Sequence, residues 1–404
     1  MNGLLSTCGV LLVAGMSLIA VHGAEPGTVA VIDVDDIRYT GELQALSDQR
    51  LTIAGRELHR LNAEDLLRLQ FTGRTARPVG DRALVILANG DRLVAHTIGM
   101  NEESLVAQLI DFPTWPAVRL PLETIRGIIV TLPRSSSARS RLFAVLLSRR
   151  QPTDVVILEN GDRVTGELLA IDPSSVALEG ALGSTRIEQK EVRAVAFSSE
   201  LISFPRVAGR QVLLTLTDGS RITVRNVQLL SNGLVRVDAV FGAHLNVPID
   251  SIVSLRFLGG RAVYLSELEP AEYRFTPYVA AEWPFMLNRS AAGGPLLLRG
   301  TEYARGIGMH SESELTLPLD GNYRDFRAVV GIDDSTGGRG SVVFGVTVDD
   351  EPVFTSELLT GESAAFTIEP IDVKGKQKLT LRVDFGQLGD IQDHANWCDA
   401  LLVK

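Results

Sequence analysis

Cysteine is nearly absent: Cys8 and Cys398 are the two in 404 residues. With Cys8 inside an apolar leader, the remaining chain has one thiol and no intrachain disulfide framework. Excess positive charge is also missing. The net charge is −10, and all of it falls from Tyr264 onward, where 22 acids face 12 bases; the earlier part balances at 27 against 27. Nucleic-acid binding needs a basic footprint, so nucleic acid is excluded as the main partner. Sustained helical periodicity is lacking too. So are His-Glu-x-x-His, Gly-x-Ser-x-Gly, a Walker loop and any Cys/His cluster with metal spacing. The chain is therefore expected not to be an enzyme. A glycoside hydrolase is the least favoured reading, since a carboxylate pair would have to be improvised between small repeated units.

What is present begins with a leader. Residues 1–23 read as a secretory signal peptide: Leu4 to Val21 is almost wholly apolar, and Val21-His22-Gly23 precedes Ala24. Met1-Asn2-Gly3 carries no Lys or Arg. An uncleaved anchor is the alternative, because about 18 apolar residues can just span a bilayer. A secreted chain without disulfides points to a bacterial periplasm, cell surface or medium.

A repeat follows. RYTGELQAL (38–46), RLVAHTIGM (92–100), RVTGELLAI (163–171) and RITVRNVQL (221–229) align on Arg38, Arg92, Arg163 and Arg221, spaced by 54, 71 and 58 residues. The turn before each arginine reads Asp-Asp, Asn-Gly-Asp, Asn-Gly-Asp and Asp-Gly-Ser in chain order. Such residues between alternating apolar strands mark hairpins, because both turn positions need positive φ. The acidic motif is not kept in all four copies, so the turn reads as punctuation and not as a cation or phosphate loop. Each unit holds about five short strands, with the pattern and length of a small SH3- or Sm-like barrel. The expected organisation is repeats one and two over 24–133, a linker over 134–152, and repeats three and four over 153–260. The linker has five arginines, no acid and an apolar patch from Leu142 to Leu147. It reads as a short helix capped by Ser136 or Ser137 and docked on a neighbouring unit, or as a basic helix on an anionic membrane surface.

From Tyr264 the texture changes to alternating strands, as in SVVFGVTV and KLTLRVDF, with Gly- and Asp-rich turns. About eight strands fit a β-sandwich of the jelly-roll kind. YLSEL (264–268), RGIGMHS (305–311), YRDFRAVVGIDD (323–334), GSVVFGVTVDDEPVF (340–354) and DHANWCDALL (393–402) occur here in order. On these marks residues 264–404 resemble the family of novel carbohydrate-binding modules appended to secreted glycoside hydrolases. The resemblance implies a galactose-binding-like jelly roll and a sugar-binding role. The family pattern has Asp-His-Ala-Asp-Trp near the end, whereas this chain has Asn396. If that acid holds a metal or a sugar hydroxyl, the change weakens binding.

A sugar site needs an aromatic face for the ring's C–H patch and planar polar groups for paired hydroxyls. Trp397, flanked by Asp393, His394, Asn396 and Asp399, supplies both, and His310 in a Gly-rich turn is a further candidate. The bland alternative places Trp397 in the sandwich core, because large aromatics are mostly buried. Asp333 and Asp334 are candidates for a structural Ca²⁺, which takes six to eight oxygens; no other cofactor is expected. The fold expected is all-β, tandem small units followed by a jelly-roll β-sandwich. The function expected is carbohydrate binding by the sandwich, with the repeats as scaffold. The alternative is an envelope adaptor whose repeats bind another protein.

Overall fold

The computed structural model describes residues 27–404 apart from 148–150, 182, 206–208, 279–281 and 388. The leader expected over 1–23 lies outside the described residues.

The first unit consists of strands Thr28–Asp33, Arg38–Leu46, Arg50–Ala54, Leu58–Asn62 and Leu66–Phe71, with a 3₁₀ turn, Ala63–Asp65, before the last. The same order of five strands and one 3₁₀ turn recurs over 84–129, 154–196 and 211–258. In every unit the first strand pairs antiparallel with both the second and the fifth. The second strand carries a register shift in all four copies. Such a bulge sharpens its bend and lets one long strand serve two sheet directions. The turn glycines Gly90, Gly161 and Gly219 have φ of 92°, 94° and 93°. Asp36 occupies the corresponding place in the first unit at 61°.

Fifth strands join the units in pairs. Leu66–Phe71 lies against Ile252–Leu258, and Ile125–Ile129 against Val192–Ala196. Units two and four then meet through their second strands, with Arg92 directly opposite Arg221. The spatial order is thus one, four, two, three. Small units of this size have marginal cores, and here their apolar residues merge into one shared cluster.

The only α-helix among the described residues, α1 (Ser136–Leu146), lies within the basic linker. Its cap is Ser135, whose Oγ accepts from Ala138 N at 3.4 Å. That corrects the expected cap at Ser136 or Ser137 by one to two positions. Leu142, Phe143 and Leu146 pack against Leu84, Val94, Val155 and Ala194 of units two and three. The apolar side of the helix is used in this docking, as the docked-linker reading expected.

The C-terminal region is a β-sandwich. One sheet runs Met286–Leu287, Gly306–His310, His394–Val403, Asp325–Ile332, Phe366–Asp372, with Ala262–Tyr264 also on the last strand of the chain. The other runs Glu272–Phe275, Ser313–Pro318, Lys378–Phe385, Ser341–Val348, Glu351–Thr355, with Leu359–Thr360 on the edge of Ser341–Val348. The sandwich therefore starts at Ala262, two residues before the expected boundary, and has two six-stranded sheets in place of about eight strands. Phe326, Phe344, Leu381, Val383 and Trp397 fill the space between the sheets. A separate hairpin, Leu296–Leu298 with Thr301–Tyr303, packs Leu296 and Leu298 on Cys398.

The sandwich is firmly seated on the repeats. Val34, Leu213 and Leu258 share a cluster with Tyr264, Leu401 and Val403. Around it, Arg324 binds Asp35 at 2.6 Å, Arg327 binds Asp36 at 3.2 Å, and Arg256 binds Asp399 at 2.7 Å. Glu302, on the hairpin, takes Arg92 through both carboxylate oxygens (2.5 and 3.0 Å) and Arg221 at 2.9 Å. Burial pushes the Glu302 carboxyl up, but the two guanidiniums outweigh it and hold the pKa at about 2.

Candidate functional site

The residues singled out around Trp397 do not form one site. Trp397 is fully buried, edge-on to Phe344 at 5.1 Å between ring centroids. It is a core residue and offers no face to a sugar. Asn396 is also buried and donates Nδ2–H to Asp333 at 2.6 Å. An acid at this position would set two carboxylates together in the interior, whereas Asn396 donates to Asp333 and leaves its own buried Oδ1 without a partner among the described residues. Asp399 points to the repeats, where its Oδ1 accepts from Arg256. Asp393 is buried, its Oδ2 accepting from Ser311 Oγ at 2.5 Å and its Oδ1 from Ser341 N at 2.8 Å; burial pushes its carboxyl up. It braces the loops and does not face outward.

Asp333 and Asp334 are committed to backbone groups. Asp333 Oδ1 accepts from Ser335 N at 3.0 Å and Oδ2 from Leu297 N at 3.0 Å. Asp334 accepts from Arg299 N at 2.9 Å and Gly300 N at 2.7 Å. The pair anchors the hairpin that carries Glu302. It does not converge as a Ca²⁺ cage would, and among the described residues no group of three His, Cys, Asp or Glu side chains is placed to hold a metal.

His310 and His394 do come together. They are direct partners on adjacent antiparallel strands, with ring centroids 5.7 Å apart. The ring that completes the group is Trp283, which the sequence reading passed over. It stacks on His310 at 4.3 Å with planes 9° apart and tilts over His394 at 5.4 Å. Phe275 meets the edge of His310 at 6.3 Å. Nearby, Tyr278, 65% exposed, stands edge-on to Phe385 at 5.6 Å, and Gly389 lies beneath its ring.

Three segments build this edge. The chain leaving Glu272–Phe275 brings Tyr278 and Trp283, and Tyr273 Oη–H fixes the latter by donating to Trp283 O at 2.7 Å. The strand Gly306–His310 brings the first histidine, held by a 2.9 Å contact of its Nδ1 with Ser311 O. The loop from Phe385 into the last strand brings His394 and, half-buried, Asp390. Polar groups lie alongside: Arg382 Nη2 binds Glu312 at 3.0 Å and Asp384 at 2.9 Å.

Burial lowers both histidines. His394 falls to about 4 through burial and then through the neighbouring His310; His310 also falls, with burial the leading cause. At neutral pH the pair is uncharged and supports the half-buried Trp283 as a flat, apolar wall. An aromatic face backed by rigid rings, with carboxylates and a guanidinium alongside, can bind a neutral ring bearing hydroxyls.

A family model matches the part of the chain that carries this edge. Residues 261–403 match the family model described as NPCBM/NEW2 domain. A protein named putative endo-alpha-N-acetylgalactosaminidase, from Renibacterium salmoninarum, is 32% identical over 108 residues, 27% of this chain. One named alpha-1,3-galactosidase B, from Akkermansia muciniphila, is 36% identical over 117 residues, 28% of this chain. The matches span only 7% and 14% of those two relatives. Among solved structures, the CBM51 of Clostridium perfringens GH95 in complex with methyl-galactose is 32% identical, covering 35% of this chain and 99% of that one, with a TM-score of 0.32.

Proposed function

We infer that this chain is a non-catalytic, secreted bacterial protein that binds carbohydrate at the sandwich edge built on Trp283. One observation carries the reading. Within a region matching the NPCBM/NEW2 domain, Trp283 is stacked on the buried His310 and tilted over its neutral partner His394, and the same chain segment carries the exposed Tyr278. Stacking of a sugar's C–H face on the indole supplies affinity, and the polar rim orients the hydroxyls. Tyr278 extends the surface toward solvent, which suits a terminal sugar with further units leaving the site. The relatives' names point to galactose or N-acetylgalactosamine in α linkage as the sugars to try first. The repeats serve as the platform that holds the sandwich through Glu302, Asp399 and the Asp35–Asp36 turn.

The test is a glycan array probed with the full chain and with Trp283→Ala. Binding to galactose-type glycans that is lost in the variant, with an unchanged melting temperature, supports the reading. Equal binding by both proteins refutes the assigned edge, and no binding to any glycan by the unmodified chain refutes the function.

A further inference from the structure

The four turns of the repeat end in different surroundings, and this difference exposes an unused interface. Units two and four grip each other through their turns. Asp91 Oδ2 accepts from Thr223 N and Oδ1 from Thr223 Oγ1, each at 2.7 Å. In return, Ser220 Oγ accepts from Val94 N at 2.9 Å. Counted from the repeat arginines, Asp91 and Ser220 are equivalent, as are Val94 and Thr223. With Arg92 opposite Arg221, the contact is a local two-fold. It uses one acid on one side and one threonine on the other. All four residues are buried.

The third unit carries both halves of this lock on one surface. Asp162 stands where Asp91 does, and Thr165 where Thr223 does. The turn is also built alike: Asn160 Oδ1 accepts from Asp162 N at 3.0 Å, as Asn89 Oδ1 does from Asp91 N. Yet Asp162, Arg163 and Thr165 are exposed. The first unit lacks the acid, with Ile37 in its place, and its turn is occupied by Arg324 and Arg327. Only the third unit is self-complementary.

We propose that this surface joins a second copy of the chain across a two-fold axis, Asp162 of each copy accepting from Thr165 N and Oγ1 of the other. A two-fold contact requires a patch complementary to itself, and this patch is one by the pattern that units two and four already use. In that internal contact Glu302 sits between the two arginines. The third unit has no sandwich hairpin over it, so Arg163 faces its copy in water and opposes pairing weakly. The dimer sets two sandwiches on one particle, and weak single-site binding gains avidity. The proposal does not depend on the sugar reading.

Sedimentation of the full chain over a concentration series tests it. The expected result is a monomer–dimer equilibrium weakened by about 100-fold in Asp162→Lys, the scale of losing a buried, hydrogen-bonded charge. Unmodified chains mixed with Arg163→Glu chains should form mixed pairs in excess of the statistical share, because Arg then faces Glu. These residues are exposed, so unchanged circular dichroism and melting are expected of both variants. A chain that stays monomeric at millimolar concentration overturns the proposal. So does a dimer indifferent to Asp162→Lys, or random mixing with Arg163→Glu, which would place the contact elsewhere.

Discussion

His394 and Asp399 stand five positions apart on the last strand, yet the two positions serve opposite purposes. Asp399, with Leu401 and Val403 beyond it, belongs to the face turned to the repeats, where charges are matched and apolar groups are covered. His394 belongs to an edge where rings are stacked on one another and the outermost of them stay in reach of solvent. Between them Trp397 fills the core. One short stretch thus holds a docking residue, a core residue and a wall residue of the candidate site. Its density of polar and aromatic side chains is not by itself a mark of a ligand.

Substitutions along these surfaces should separate the three roles. The largest loss is expected at the core. Trp397→Ala should cost about 3–5 kcal/mol, the range for deleting a buried aromatic, and thermal unfolding should show the sandwich melting early. Any loss of sugar binding in that variant would then follow from unfolding. If Trp397→Ala left the melting temperature intact while abolishing binding, the assignment of Trp397 to the core would be wrong.

Next comes the docking face. Glu302→Ala leaves Arg92 and Arg221 together without their anion, and removing one partner of a largely buried ion pair costs about 3–5 kcal/mol when burial is complete. Glu302 retains some exposure, so about 3 kcal/mol is the expectation here. Hydrogen exchange should quicken in the hairpin Leu296–Leu298/Thr301–Tyr303 and at the Asn89 turn, while the edge around Trp283 keeps its protection. Unchanged exchange at the hairpin would show that the arginines do not depend on Glu302.

The open edge should respond to pH. His394 has a folded pKa of about 4, depressed from 6.5, so the unfolded chain takes up its proton first as pH falls. The associated stability is full above the unfolded value, declines below it, and is lost through the folded value. By about pH 5 the loss should reach roughly 2 kcal/mol. Denaturant titrations at neutral pH and near pH 5 should show this slope, and His394→Phe should flatten it. An equal slope in that variant would assign the acid sensitivity to other groups.

How much of this was legible in the sequence varied with the kind of signal. The hairpin turns were plain because Asn-Gly and Asp-Gly favour tight turns, and Gly90, Gly161 and Gly219 have the positive φ expected of them. Asn89, Asn160 and Asp218 do not, so the expectation that both turn positions have positive φ holds only at the glycine. The role of Arg92 and Arg221 was not legible. They meet only because units two and four pack together, and their acid comes from the sandwich. Strand alternation could not separate Trp397 from its neighbours, because His394–Val403 is covered on both faces and nine of its ten residues are buried. Trp283 lies in an irregular segment before a two-residue strand, where no period announces which way a ring points. Its stacking on His310 depends on a register between distant strands, which a single sequence does not reveal.

The most direct test of the account compares glycan binding by the full chain with that of Trp283→Ala and Asp399→Asn, each checked for an unchanged fold. Binding to galactose-type glycans is expected that Trp283→Ala abolishes and Asp399→Asn leaves intact. Binding that survives Trp283→Ala but is lost in Asp399→Asn would contradict it, and would move the recognition surface from the open edge to the docking face.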